Sequence, residues 1–115
     1  MSRYVVTLFL TVTGPAADRT AHFEYVTDCY AKLEEVHDNL LDSAWSLSDE
    51  GAYADVEVEI TVEASDESHA YDVARASART AIHDADGFTP GWEDEQTGVG
   101  RIQYRIAREE AVPVR

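Results

Sequence analysis

The chain has one cysteine in 115 residues. A lone thiol forms no internal disulfide and supplies no cysteine cluster for zinc, which fits a reducing compartment. Cys29 falls in an expected helix, with Lys32 as its one basic neighbour within a turn, and reads as a small buried apolar residue rather than a reactive thiol. Lysine is almost missing as well. Of nine basic residues, eight are arginine and one is Lys32, against 23 aspartates and glutamates and a formal net charge of −14. That deficit of positive charge argues against a surface for nucleic-acid phosphates and against anionic membranes. No apolar run approaches the ~18 residues of a membrane helix. The N-terminal MSRYVVTLFLTV is charged and then apolar, but Gly14-Pro15 follows with no small-residue cleavage site. It reads as a strand, and the expected location is the cytoplasm.

What is present is an ordinary apolar content of 44%, enough for one domain with one core. Residues 3–12 alternate as a first strand. Val5, Thr7, Phe9 and Thr11 stand opposite Tyr4, Val6, Leu8, Leu10 and Val12, and both faces are apolar enough for a central position. A helix is expected from about Asp18 to Asp38, capped by Asp18 or Thr20. Its stripe is Phe23, Val26, Tyr30, Leu33 and His37. Residues 40–48 read as a second strand, with Leu41, Ser43, Trp45 and Leu47 on one face, and Asp49-Glu50-Gly51 as a hairpin turn. Residues 52–64 read as a third strand, in which Ala54, Val56, Val58, Ile60 and Val62 alternate with Asp55, Glu57, Glu59, Thr61 and Glu63. A second helix, 66–85, is capped by Ser65 or Asp66 and closed by Gly87. Its stripe is small: Ala70, Val73, Ala74, Ser77, Ala78 and Ala81. A loop over 88–100 leads to a fourth strand, 101–107. The domain is placed at 1–108, with a loose tail at 109–115.

The order β-α-β-β-α-β predicts an α+β, ferredoxin-like sandwich: a four-stranded antiparallel sheet, order 4-1-3-2, with two helices on one face. The other face is then open. Val5 and Phe9 lie at its centre, Glu57 and Glu59 on one side, Arg101 and Arg105 on the other. This is a self-complementary patch of the kind a two-fold homodimer needs. The competing reading is pairing within the chain and an ordinary wet sheet.

Motifs for chemistry are absent. His22, His37, His69 and His83 have no metal-ligand spacing, no calcium loop is present, and Ser/His/Asp spacing is missing. No catalytic, metal or cofactor residue is therefore assigned, and no cofactor is expected. His69 could bond Asp72 on the helix surface. Gly98 and Gly100 precede a strand, the reverse of a phosphate cradle. Trp92, on the Thr89-Pro90-Gly91 turn, is a candidate loop anchor: a plug on the core in the preferred reading, or a docking residue.

Arg79-Thr80-Ala81-Ile82-His83, Ala85, Gly87 and Thr89-Pro90-Gly91-Trp92 resemble a run found in small uncharacterised proteins of actinobacteria and their phages. The resemblance spans about a fifth of the chain and implies an origin without a mechanism. The acidity and arginine bias fit a haloarchaeal source too. Three functions are compatible with these features. The preferred one is a non-enzymatic homodimeric interaction domain using the open sheet face. The second is an acidic inhibitor that mimics nucleic acid towards a basic protein partner. The third is a small dimeric enzyme or ligand-binding domain with polar groups converging near Tyr30, His37 or Trp45.

Overall fold

A computed structural model describes residues 2–90, 92 and 102–114. The elements run β1 (Ser2–Thr13), α1 (Ala16–Val36), β2 (Leu40–Glu50), β3 (Tyr53–Ala64), α2 (Glu67–Asp84) and β4 (Gln103–Pro113). All strand pairs are antiparallel and the sheet order is β2-β3-β1-β4, which from the other edge reads 4-1-3-2.

Period-two patterning decides which face is covered. Ala54, Val56, Val58, Ile60, Val62 and Ala64 of β3 are buried, and Val6, Leu8, Leu10 and Val12 of β1 lie level with them. They form one core with Val26, Cys29 and Tyr30 of α1 and with Ala70, Ala74, Ala78, Ala81 and Ile82 of α2. Both helices therefore pack on the same face. The alanine-rich stripe of α2 lets its axis lie close to the strands. Asp66 caps this helix as expected, its carboxylate accepting from the His69 amide at 2.8 Å. Burial pushes the Cys29 thiol pKa up, which suits its apolar role.

Several expectations change. Helix α1 starts at Ala16 with Pro15, not Asp18 or Thr20, at its N-cap and with no side-chain cap; Pro15 already holds φ at −58°. His37 leaves the buried stripe because it is the extended C-cap residue, and it is exposed. A register shift between Leu40 and Asp42 turns Leu40 into the core and Leu41 out to solvent. The expected boundary at 108 and tail from 109 are replaced by strand, since β4 pairs with β1 from Gln103–Thr13 to Pro113–Tyr4. At the end of α2, Asp86 takes the left-handed conformation (φ 63°) that was expected of Gly87. The amides of Asp86 and Gly87 bond the carbonyls of His83 and Ile82 at 3.0 and 2.8 Å, which is the double bond of a Schellman ending.

Candidate functional site

The face of the sheet away from the helices carries no further layer among the described residues. The register sets its side chains in rows. Thr11 lies between Asp55 and Arg105, Phe9 between Glu57 and Arg108, Thr7 between Glu59 and Glu110, and Val5 between Thr61 and Val112. Five of the six sequence-derived candidates, Val5, Phe9, Glu57, Glu59 and Arg105, thus share this face. Arg101 lies outside the described residues.

Arg108 was missed. A bulge at Ala107, between the Phe9–Arg108 and Leu10–Ile106 pairs, reverses the alternation of β4. It puts Arg105 and Arg108 on the open face together and turns Glu109 to the helix side, where Arg75 meets it at 3.2 Å. Bulges re-aim side chains in this way, and no glycine marks this one in the sequence. The Arg108 guanidinium sits 4.1 Å above the Phe9 ring, a cation–π contact, and reaches Glu110 at 3.5 Å.

Two strand spacings, roughly 10 Å, separate β3 from β4 across β1, and the acidic and basic stripes do not pair directly among the described residues. Asp55, Glu57, Glu59 and Arg105 accordingly have no ion-pair partner among the described residues. Arg3 and Glu63, directly opposite on adjacent strands, do meet at 3.6 Å. Near the hairpin end, the face sinks into a hollow of about 500 Å³ lined by Phe9, Leu10, Ser46, Leu47, Ser48, Asp55, Val56, Glu57 and Ala107. Its walls are more apolar than polar, with two carboxylates and two hydroxyls beside the Phe9 ring, and suit an apolar stem that ends in a guanidinium or ammonium group.

Thr89 and Trp92 close one end of the core. The Trp92 indole N–H donates to the Tyr104 carbonyl at 3.0 Å and the ring packs on the core, which is the plug role. His83 Nε2 lies 2.8 Å from Thr89 Oγ1, and His22 Nδ1 lies 3.1 Å from the Tyr104 hydroxyl. The resembling run is thus a helix ending with its own fastening. Burial lowers the pKa of both histidines: for His22 against the Ala85 carbonyl and Asp86, and for His83 together with Arg79 and against Asp84. A lowered folded pKa means the unfolded chain binds more protons, so stability is full above the ordinary histidine pKa and is lost as pH falls through it. Urea midpoints are expected to drop from pH 7 to 5.5, above the range where carboxylates titrate. His83→Gln is expected to flatten that slope; an unchanged slope would remove His83 from the account.

A second cleft, about 280 Å³, lies between the helices and the start of β2, with His37, Asn39, Ser77 and Thr80 among its walls. Ser77 Oγ donates to the Ala74 carbonyl at 2.9 Å and lies 3.0 Å from the Tyr30 hydroxyl, so both hydroxyls are committed to structure. Burial raises the Tyr30 pKa, which makes it a poor proton donor or acceptor near neutrality. Trp45 packs against Tyr30 and Phe23 instead of lining the cleft. His69 faces Ser65, with Nδ1 at 3.1 Å from its amide, and not Asp72. Among the described residues, no three His, Cys, Asp or Glu side chains come together as a metal site, and no helix is long and apolar enough to cross a membrane.

The largest omission of the sequence reading is Arg19, which is 1% exposed. Its Nε and Nη2 donate to the two Asp49 carboxylate oxygens at 3.3 and 2.7 Å, and Nη2 and Nη1 to the Gly51 and Ala52 carbonyls at 2.7 and 2.8 Å. It ties the first turn of α1 to the β2–β3 hairpin, whose Gly51 has φ +84°. The signal was available, because Arg19-Phe23-Val26-Tyr30 extends the buried stripe one turn upstream.

No family model matches the chain, and neither does any curated protein. Among solved structures, the chain is similar to the de novo designed protein Foldit4, with a TM-score of 0.50 and 9% identity over 98% of this chain and 99% of that one. That likeness shows the α+β fold and nothing about activity.

Proposed function

We propose that the protein is a non-enzymatic, homodimeric interaction domain of ferredoxin-like architecture, with the open sheet face as its contact surface. The observation that carries this reading is the segregation of unpaired charge on that face. Asp55, Glu57 and Glu59 stand on one side of Phe9 and Arg105 on the other, none of them ion-paired among the described residues. Segregated, mutually complementary stripes suit an isologous contact, in which each surface meets a copy of itself. The size suits a weak dimer: β3, β1 and β4, strands of 11 or 12 residues, make a face of roughly 550 Å², smaller than the ~800 Å² that each partner gives to a standard interface.

Nucleic-acid mimicry towards a basic protein would also use the Asp55-Glu57-Glu59 stripe, whose carboxylates recur about every 6.8 Å. Thr61 interrupts that array and Arg105 and Arg108 lie beside it, so the surface is of mixed sign and the dimer is favoured. The enzyme or ligand-binding reading, with polar groups converging near Tyr30, His37 or Trp45, looks to the helix-side cleft, where the nearest hydroxyls are already engaged.

The test is Phe9→Asp. Sedimentation equilibrium is expected to give the wild-type chain a mass approaching twice 12.8 kDa at high micromolar concentration, and the variant a monomer mass with unchanged far-ultraviolet circular dichroism. A wild-type chain that stays monomeric, or a variant that still dimerises, refutes the reading.

A further inference from the structure

Resting on that reading, we infer that the two copies are related by a two-fold axis running along β1, and that the Arg105 and Arg108 side chains of each copy enter the acidic hollow of the other. Two arrangements of facing sheets preserve two-fold symmetry with a strand-aligned contact. An axis across the strands would lay β3 on the partner's β3 and oppose carboxylates to carboxylates. An axis along β1 instead lays β3 on the partner's β4 and keeps every residue at its own level along the strands.

The register then names the pairs. Asp55 and Arg105 both flank Thr11, and Glu57 and Arg108 both flank Phe9. Asp55 therefore faces the partner's Arg105, and Glu57 the partner's Arg108. These carboxylates are walls of the hollow, so the guanidinium groups arrive where the surface is concave, acidic and next to an aromatic ring. Arg108 exchanges its place over its own Phe9 ring for the partner's carboxylates, which leaves Phe9, on the axis, to meet the partner's Phe9. Aligned sheets cross at about 30° about a line normal to them, and this register holds when that line passes between the Phe9 and Thr11 rows.

One row opposes like charges. Glu59 and Glu110 both flank Thr7, so Glu59 faces the partner's Glu110. With a net charge of −14 on each copy, this row keeps the contact weak, and removing the Glu110 charge strengthens it.

The experiment is a charge-exchange set read by sedimentation or light scattering at 150 mM salt, alongside Phe9→Asp. Asp55→Arg and Arg105→Asp are each expected to raise the dimer Kd about tenfold or more. The double variant is expected to return it close to the wild-type value, and Glu110→Gln to lower it several-fold. The single variants move the net charge in opposite directions, so an effect of overall charge would give them opposite signs. Opposite signs, no rescue in the double variant, or singles that leave intact a dimer broken by Phe9→Asp would each overturn this register while leaving the face as the contact surface. A chain that is monomeric throughout overturns both the register and the reading beneath it.

Discussion

Replacing Arg19 with methionine is expected to lower the unfolding free energy by about 3 kcal/mol, the range found when one member of a buried, hydrogen-bonded ion pair is removed. The guanidinium satisfies a carboxylate and two turn carbonyls at once. Methionine fills much of the volume but leaves all three acceptors without their donors. The charge is not there for the helix, since a cation in the first turn opposes the helix dipole. It is there for the hairpin it holds. Arg19→Lys keeps the charge and loses the fork, and should recover less than half of the loss. Asp49→Asn should cost less than Arg19→Met, because the Asp49 side chain is 26% exposed and water compensates it. Urea unfolding followed by tryptophan fluorescence measures all three. A loss below about 0.5 kcal/mol for Arg19→Met, the level of an ordinary surface change, would show that the hairpin does not depend on it.

Gly87→Ala is the second large effect. A Cβ there would lie 2.7 Å from both His22 Cε1 and Ile82 Cγ2. Ile82 is fully buried and His22 is held by the Tyr104 hydroxyl, so neither can move freely. Overpacking of this kind costs about 1–3 kcal/mol. The neighbouring Asp86→Gly should act in the other direction by up to about 1 kcal/mol, since Asp86 and not Gly87 occupies the left-handed backbone region. Opposite signs at adjacent positions, read from thermal midpoints, separate a glycine required for space from a position that needs backbone freedom. A Gly87→Ala variant as stable as wild type would contradict the close packing of α1 on the end of α2.

Much of the fold was legible because the patterning is of one period per element. The alternation from Ala54 to Glu63 allows one strand and one buried face, and the short residues of α2 point to close helix–sheet packing. What escaped was non-periodic. The bulge at Ala107 shifts half of β4 by one residue, so Arg108 joins the open face and Glu109 leaves it, and no local sequence signal distinguishes that from continued alternation. The same holds at Leu40-Leu41, two leucines either of which could face inward. Arg19 is not legible from its residue type, because an arginine in a helix reads as solvated unless its place on the stripe is weighed above its charge. Of the interaction face, Val5, Phe9, Glu57, Glu59 and Arg105 followed directly from alternation plus strand order. That they belong to one contact between two copies is an argument about charge and symmetry.

That argument is most directly tested by an isotope-filtered NOE experiment on a one-to-one mixture of carbon-13-labelled and unlabelled chain. The account expects intermolecular cross-peaks from the Phe9 ring to the partner's Phe9 and from the Arg105 side chain to protons beside Asp55. Intermolecular cross-peaks confined to helix-side residues such as Tyr25 or Tyr71, with the Phe9 ring silent, would contradict it.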